Sequence, residues 1–289
     1  MHDDELPDAS ALRFLVGSAL KTARTTARVT QQAAAKHIGF TSGKLSYMES
    51  GETAQGADHV AQLMRLYKAP AEDVEWVVSL AVRADHGVLS TRNDDVWPDW
   101  FKLYVGLEKL AKRLFEYTNS FLPGQLQTLA YATAVLEDSL HIPARDIAQT
   151  ARARIDRQRI ISTDKPVQTS AVVEESVLDR MIGSPTVMIE QLEHLLELMS
   201  LPNVDLHIIP TATGNHEGLP GSFILLNFTE ARGIAYVEYH TGALYLQERS
   251  DVDLYTLTAD RLISKALSTD DTANAIQSRI AKIKNMERK

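Results

Sequence analysis

The sequence predicts two domains of different class: an all-α, five-helix domain over residues 12–87, and an α+β domain over residues 99–289 with a small sheet covered by helices. Three observations predict this. The first part carries five segments with apolar residues at helical spacing, separated by short polar turns. The second part adds short runs rich in β-branched and aromatic residues, such as "NVDLHIIP", "GSFILLNF" and "GIAYVEYH", which read as strands. Between the two, "GVLSTRNDDVWPDW" is polar and has no apolar period, which predicts a linker over residues 88–98. Residues 1–11, acidic and polar, read as a disordered N-terminus.

Each element has a local reason. From Leu12 to Ala27, residues Leu12, Leu15, Val16, Ala19, Leu20 and Ala23 fall on one helical face. Thr30 caps a second helix, "QQAAAKHI", and Gly39 closes it where a helix C-terminus favours glycine. Thr41 caps a third, "SGKLSYMES", which Gly51 ends. "ADHVAQLMRLY" stops before Pro70, and "AEDVEWVVSLAVRADH" stops at Gly87. Helices resume with "WFKLYVGLEKLAKRLFEY", "GQLQTLAYATAVLEDSL" and "ARDIAQTARARIDRQRII", followed by a strand, "VQTSAVVEE". Ser184 and Pro185 open the next helix as N-cap and first residue. Four strands follow, the last two joined in a hairpin at Thr241–Gly242, and two helices close the chain.

The 289 residues contain no cysteine, which excludes disulfides and thiolate metal sites and fits a reducing cytoplasm. No signal peptide and no membrane span is expected. The net charge of −8 argues against a nucleic-acid binder, but its distribution does not. Between Ser10 and Ser50 stand Arg13, Lys21, Arg24, Arg28, Lys36 and Lys44 against Glu49 alone, a net of +5 that leaves −13 for the rest. Such an island is either an electrostatic footprint or a chance cluster on a solvated helix.

With Gln31 as position one, Ala35 falls at five, Gly39 at nine, Leu45 at fifteen and Met48 at eighteen. Two helices crossing steeply need a small residue at the crossing, a residue at ease with positive φ in the turn, and inward apolar positions to hold the second helix. "TQQAAAKHIGFTSGKLSYMESGE" resembles the Xre, or lambda-repressor-like, DNA-binding domain. It departs from that pattern at Arg28, where a glycine often ends the first helix, and at Gly43. The resemblance implies a recognition helix in the major groove. Carried over, the DNA-facing candidates are Thr41, Ser42, Gly43, Lys44, Ser46 and Tyr47; Gln31 braces backbone and recognition helix, and Thr30 meets phosphate. Lys44 suits guanine O6 and N7. Tyr47 either reaches a phosphate or packs on the fourth helix. Gly43 either allows close approach to DNA or is simply tolerated in a first turn. Glu49 reads as a cap or ion-pair partner.

In the second part, "FLPGQLQTLAYATAVL", "ARARIDRQ", "PNVDLHIIP", "GLPGSFILLNF" and "YVEYHTGALYL" resemble the actinobacterial WhiJ-like regulators with an antitoxin-like C-terminal domain. That resemblance implies a transcription regulator of development or secondary metabolism, with a small partner protein encoded beside it. A homodimer on a near-palindromic operator of double-stranded DNA is the expectation, with a small-molecule ligand as a further candidate partner. His207, His216, Glu238 and His240 are the residues that could hold a metal or do acid–base chemistry, but no HExxH, HxH or GxSxG spacing occurs. No enzyme activity, cofactor or metal is expected; satisfied polar residues are the other reading of these four. Arg152, Arg154, Arg157 and Arg159 read as a second phosphate-binding face or as a solvated helix paired with acids such as Asp156.

Overall fold

The computed structural model describes residues 9–86, 97–228 and 233–286. The linker expectation lies almost entirely outside them, as do the first eight residues of the expected disordered N-terminus. The chain divides into two compact units, Met1–Leu110 and Ala111–Lys289.

The first unit contains α1 (Ala9–Thr26), α2 (Gln31–His37), α3 (Ser42–Ser50), α4 (Ala57–Leu66), α5 (Ala71–His86) and α6 (Asp99–Leu110). Helix α1 starts three residues earlier than its apolar period suggested, because Ala9 and Ala11 are buried. Its inner face, Leu12, Leu15, Val16 and Leu20, meets Leu45 and Met48 of α3 and Val60, Leu63 and Met64 of α4 in the unit's buried interior. Helix α6, expected to open the second domain, packs on α1 instead, so this unit has six helices rather than five.

The second unit is built on a six-stranded mixed sheet, larger than the small sheet expected. Its strands are β1 (Arg113–Thr118), β2 (Gln168–Glu174), β3 (Val204–Ile209), β4 (Phe223–Asn227), β5 (Ile234–Tyr239) and β6 (Gly242–Leu246), in the order β3-β2-β1-β4-β5-β6. Strands β1, β2 and β3 pair in parallel; β4, β5 and β6 add antiparallel on the other side of β1. Strand β1 corrects the sequence reading, which ran one helix from Trp100 through Tyr117. "RLFEYT" has a helical apolar spacing to its left, but its own Leu114, Phe115 and Tyr117 are needed on opposite faces of the sheet, and pairing with β2 and β4 decides the matter.

Helices cover both faces. On one, Ala171, Val173, Leu206 and Ile208 pack with Leu126 and Tyr131, with Met188, Leu192 and Leu195 of α10 (Pro185–Leu198), and with Ile276 and Ile280 of α12 (Thr269–Met286). On the other, Phe115, Tyr117, Val172, Phe223 and Leu225 meet Ala259 and Leu262 of α11 (Arg249–Lys265). The crossover from β1 to β2 carries α7 (Leu129–Glu137) and α8 (Ile147–Arg157), each shorter than its apolar pattern because 3-10 turns flank them. The short α9 (Glu175–Asp179) follows β2, and Ser184 caps α10 by accepting from the Val187 amide at 3.3 Å, with Pro185 next. The β5–β6 turn falls on His240 and Thr241, one residue before the expected position, and Gly242 already pairs with Tyr239.

Candidate nucleic-acid interface

Three turns set the geometry of α2 and α3. Each helix is capped by a threonine: Thr30 Oγ1 accepts from the Ala33 amide and Thr41 Oγ1 from the Lys44 amide, both at 3.2 Å. Gly39 takes φ +71, which lets the Phe40 amide reach back to the Ala35 carbonyl at 2.8 Å. Gly51 takes φ +79 and ends α3. The sequence departure at Arg28 acquires a meaning here: Arg28 sits at φ +55, in the left-handed region that a glycine would occupy without strain.

Helix α3 has two sharply different sides. Leu45, Met48 and Glu49 are buried, while Thr41, Ser42, Gly43, Lys44, Ser46 and Tyr47 are all exposed. Tyr47 is 54% exposed, so its ring lies outside the buried interior. A Cβ added to Gly43 would meet nothing within 4 Å, so the fold itself does not require glycine there. Lys44 Nζ lies 3.5 Å from the centroid of the Phe40 ring, and Phe40 in turn stacks on His59 at 4.6 Å.

The buried side is fixed by a carboxylate. Glu49 accepts from Arg24 Nε at 2.6 Å and Nη2 at 2.9 Å, and from Gln31 Nε2 at 3.1 Å. Arg24 Nη1 also donates to the Val29 carbonyl at 3.1 Å. One buried acid thus ties α1, α2 and α3 together, and Gln31 reaches α3 through Glu49. Burial, then the charge of Glu49, pushes the nearby Tyr67 hydroxyl well above its ordinary pKa. Gln55, itself buried, donates to the Arg13 carbonyl at 2.9 Å and the Met48 carbonyl at 2.7 Å, and so joins the end of α3 to α1.

Gly17 is the residue that the sequence did not disclose. A Cβ there would stand 2.6 Å from the Met48 carbonyl oxygen and 2.7 Å from that of Glu49, so α1 and α3 cross backbone to backbone. Nothing in a single sequence separates this glycine from a tolerated one.

Of the six basic residues in the island, Arg24 is taken up by Glu49, whereas Lys21, Arg28, Lys36 and Lys44 are exposed. Four fixed positive charges, two helix N-termini and a row of small polar side chains are suited to a polyanion.

The other candidate residues are not brought together. His207 Nδ1 bonds the Leu267 carbonyl at 2.9 Å. His216 Nε2 lies 2.9 Å from Glu174 Oε1, which also accepts from the buried Tyr117 hydroxyl at 2.8 Å. Because His216 Nδ1 accepts from the Gly218 amide at 3.2 Å, Nε2 carries the proton. Glu238 accepts from Tyr236 at 3.1 Å, and His240 faces His141 with ring centroids 6.4 Å apart. Among the described residues, no group of three or more histidines and acids is placed to hold a metal ion, and no helix is long and apolar enough to cross a membrane. The arginine-rich stretch of α8 and the turn after it divides: Arg159 pairs with Asp156 at 3.2 Å in solvent, but Arg157 is buried and Arg154 Nη1 donates to Gln127 Oε1 at 3.1 Å.

Residues 15–77 match a family described as a helix-turn-helix domain, which coincides with the capped pair α2–α3 and the helices around it. Residues 101–278 match a family described as a domain of unknown function, DUF5753. No curated protein and no solved structure matches the chain. Since that second match takes in more than half of the 289 residues, the protein belongs to the DUF5753 family, with a helix-turn-helix domain at its N-terminal side.

Proposed function

We propose that this protein is a sequence-specific DNA-binding transcription regulator in which α3 enters the major groove. The observation that carries this is the division of α3 into a buried side clamped by Glu49 and an exposed side of Ser42, Gly43, Lys44, Ser46, Tyr47 and Ser50, preceded by the exposed cap Thr41. A helix whose exposed residues are polar or glycine and free of acid can approach base edges, and Lys44 supplies the guanine-directed donor. Thr30 and the first amides of α2 lie at a positive helix end, where a phosphate is favoured.

One helix reads only a few base pairs, so a homodimer on a near-palindromic operator is the natural arrangement. The resemblance to WhiJ-like regulators supports a role in development or secondary metabolism, with the second unit binding a small adjacently encoded protein or a ligand. On this reading the protein is not an enzyme and works in the cytoplasm at the nucleoid.

Two measurements test it. Lys44→Glu abolishes binding to an operator selected from a random pool while leaving the melting temperature within about 1–2 °C, since Lys44 is exposed. Operator binding by the wild type weakens at least tenfold between about 50 and 200 mM salt, because exposed lysines and arginines displace counterions. Full operator binding by the Lys44 variant removes α3 from the groove, and a flat salt response removes phosphate contact altogether.

A further inference from the structure

Helices α7 and α8 form a hairpin with an open groove of about 570 Å³ between them. The two helices run antiparallel. Gln158, just beyond α8, donates to the Gly124 and Gln127 carbonyls at 3.2 and 2.6 Å, and Arg154 donates to the Gln127 side chain at 3.1 Å. The end of α8 therefore lies beside the start of α7, and the short turn between the helices keeps Glu137 near Ala144. Leu129, Thr133 and Glu137 line one wall at four-residue spacing, and Ala144, Ala148 and Arg152 line the other at the same spacing, with Ile147 between them. At 1.5 Å per residue each wall is about 12 Å long.

The middle of the groove is small or apolar, and the Thr133 hydroxyl is spent on the Leu129 carbonyl of its own helix at 2.8 Å. Its two charges stand at opposite ends, Arg152 beside Leu129 and Glu137 beside Ala144. Both are exposed, and among the described residues neither has a hydrogen-bond or ion-pair partner. The neighbouring cations are already taken up within the chain, Arg145 by Asp146 at 3.6 Å and Arg159 by Asp156 at 3.2 Å. Asp138, also exposed, adds a second acid at the Glu137 end. Glu137 is the last residue of α7, where the helix dipole favours a cation, so this acid gains nothing from its own helix. Apolar surface extends past both ends: Leu129 is 47% exposed, and Leu140, in the turn beyond Glu137, is 99% exposed.

An acid at one end and a base at the other make this groove complementary to itself. Turning a second copy by a half-rotation about an axis through the middle of the groove sets Glu137 against the partner's Arg152, and Arg152 against the partner's Glu137. The same rotation carries Leu140 to the end where the partner's Leu129 lies. Ala144 and Ala148 leave room for the opposing helices to come close, and the two hairpins together make a four-helix bundle.

We propose that the α7–α8 groove is where a second copy of this chain docks, an inference that rests on the reading of the protein as a homodimer and gives that dimer its surface. The test is sedimentation equilibrium of the full-length protein without DNA. The wild type dimerises. Glu137→Arg and Arg152→Glu, both at exposed positions, each raise the dimer dissociation constant about tenfold or more, because like charges then meet at both ends of the groove. An equimolar mixture of the two variants associates again to within about threefold of the wild type, since each substituted side chain finds its opposite charge in the other copy. Circular dichroism checks that each variant is folded. The proposal is overturned if the wild type is monomeric at every concentration reached, if both variants dimerise as the wild type does, or if mixing them restores nothing. A dimer indifferent to both substitutions places the homodimer on another surface, whereas a single copy bound to the whole operator removes the homodimer reading as well.

Discussion

Gly17 and Gly43 make opposite demands on the same helix. At Gly17 the backbone of α1 lies against the last carbonyls of α3, and a methyl group at 2.6 Å from an oxygen has nowhere to go. Gly17→Ala therefore destabilises the first unit by about 1–3 kcal/mol or more, read as a shifted denaturation midpoint. Gly43 faces open space, so Gly43→Ala raises helix stability by up to about 1 kcal/mol. If the added methyl also costs operator affinity, close approach to DNA is the reason for the glycine; unchanged affinity leaves only tolerance. Phe40 adds a further prediction. Its ring holds the Lys44 ammonium at 3.5 Å, so Phe40→Leu weakens operator binding about two- to fivefold in the wild type and not at all in a Lys44→Ala background. The polar positions of α3 were legible in the sequence because apolar Leu45 and Met48 bracket them at helical spacing. Gly17, Gln55 and the cation–aromatic contact were not, because each depends on a partner from another helix.

Helices α2 to α5 were legible almost to the residue, since turn signals and apolar period agree along each segment, whereas α1 starts three residues early and α6 was read as running on through β1. Strand β1 was not, because an apolar run of this length satisfies either period until its neighbours are known. The arginines in and after α8 were likewise ambiguous: the sequence allowed a phosphate-binding face or a solvated helix, whereas Arg157 is buried and Arg154 donates to Gln127. Helices α9 and α12 show how such long-range pairing stabilises elements. Arg279 of α12 donates to Glu175 at 2.7 Å and to Asp179 at 3.1 Å, and the Thr211 amide donates to Glu175 at 2.9 Å. The Thr211 amide first, and then Arg279, lower the Glu175 pKa below the ordinary carboxylate value. A carboxylate depressed in the folded state adds stability above its unfolded pKa of about 4.3 and loses it as pH falls through the folded value. Glu175→Gln should thus destabilise the protein at neutral pH and flatten the acid side of its melting-temperature profile; an unchanged acid limb would exclude this carboxylate as a contributor.

The division at Leu110 has consequences for any dissection of the chain. Helix α6 lies on α1, so a fragment ending at residue 110 should melt at higher temperature than one ending at residue 86, although both contain the whole helix-turn-helix match. If the second unit supplies dimerisation, the longer fragment keeps base preference but loses most of its operator affinity, which gel-shift titration would show. The sheet adds a matter of timing. Glu116 pairs with Ile224, so the central strand and its antiparallel neighbour are separated by 224 − 116 = 108 residues. At about 5–20 residues per second, a ribosome needs roughly 5–20 s to deliver the second after the first. The last residue of the first unit, Leu110, is made before Arg113, the first residue of the sheet. During synthesis the first unit is therefore attached to a nascent chain whose β1 still lacks its β4 edge, and that strand is the place where a chaperone would be needed.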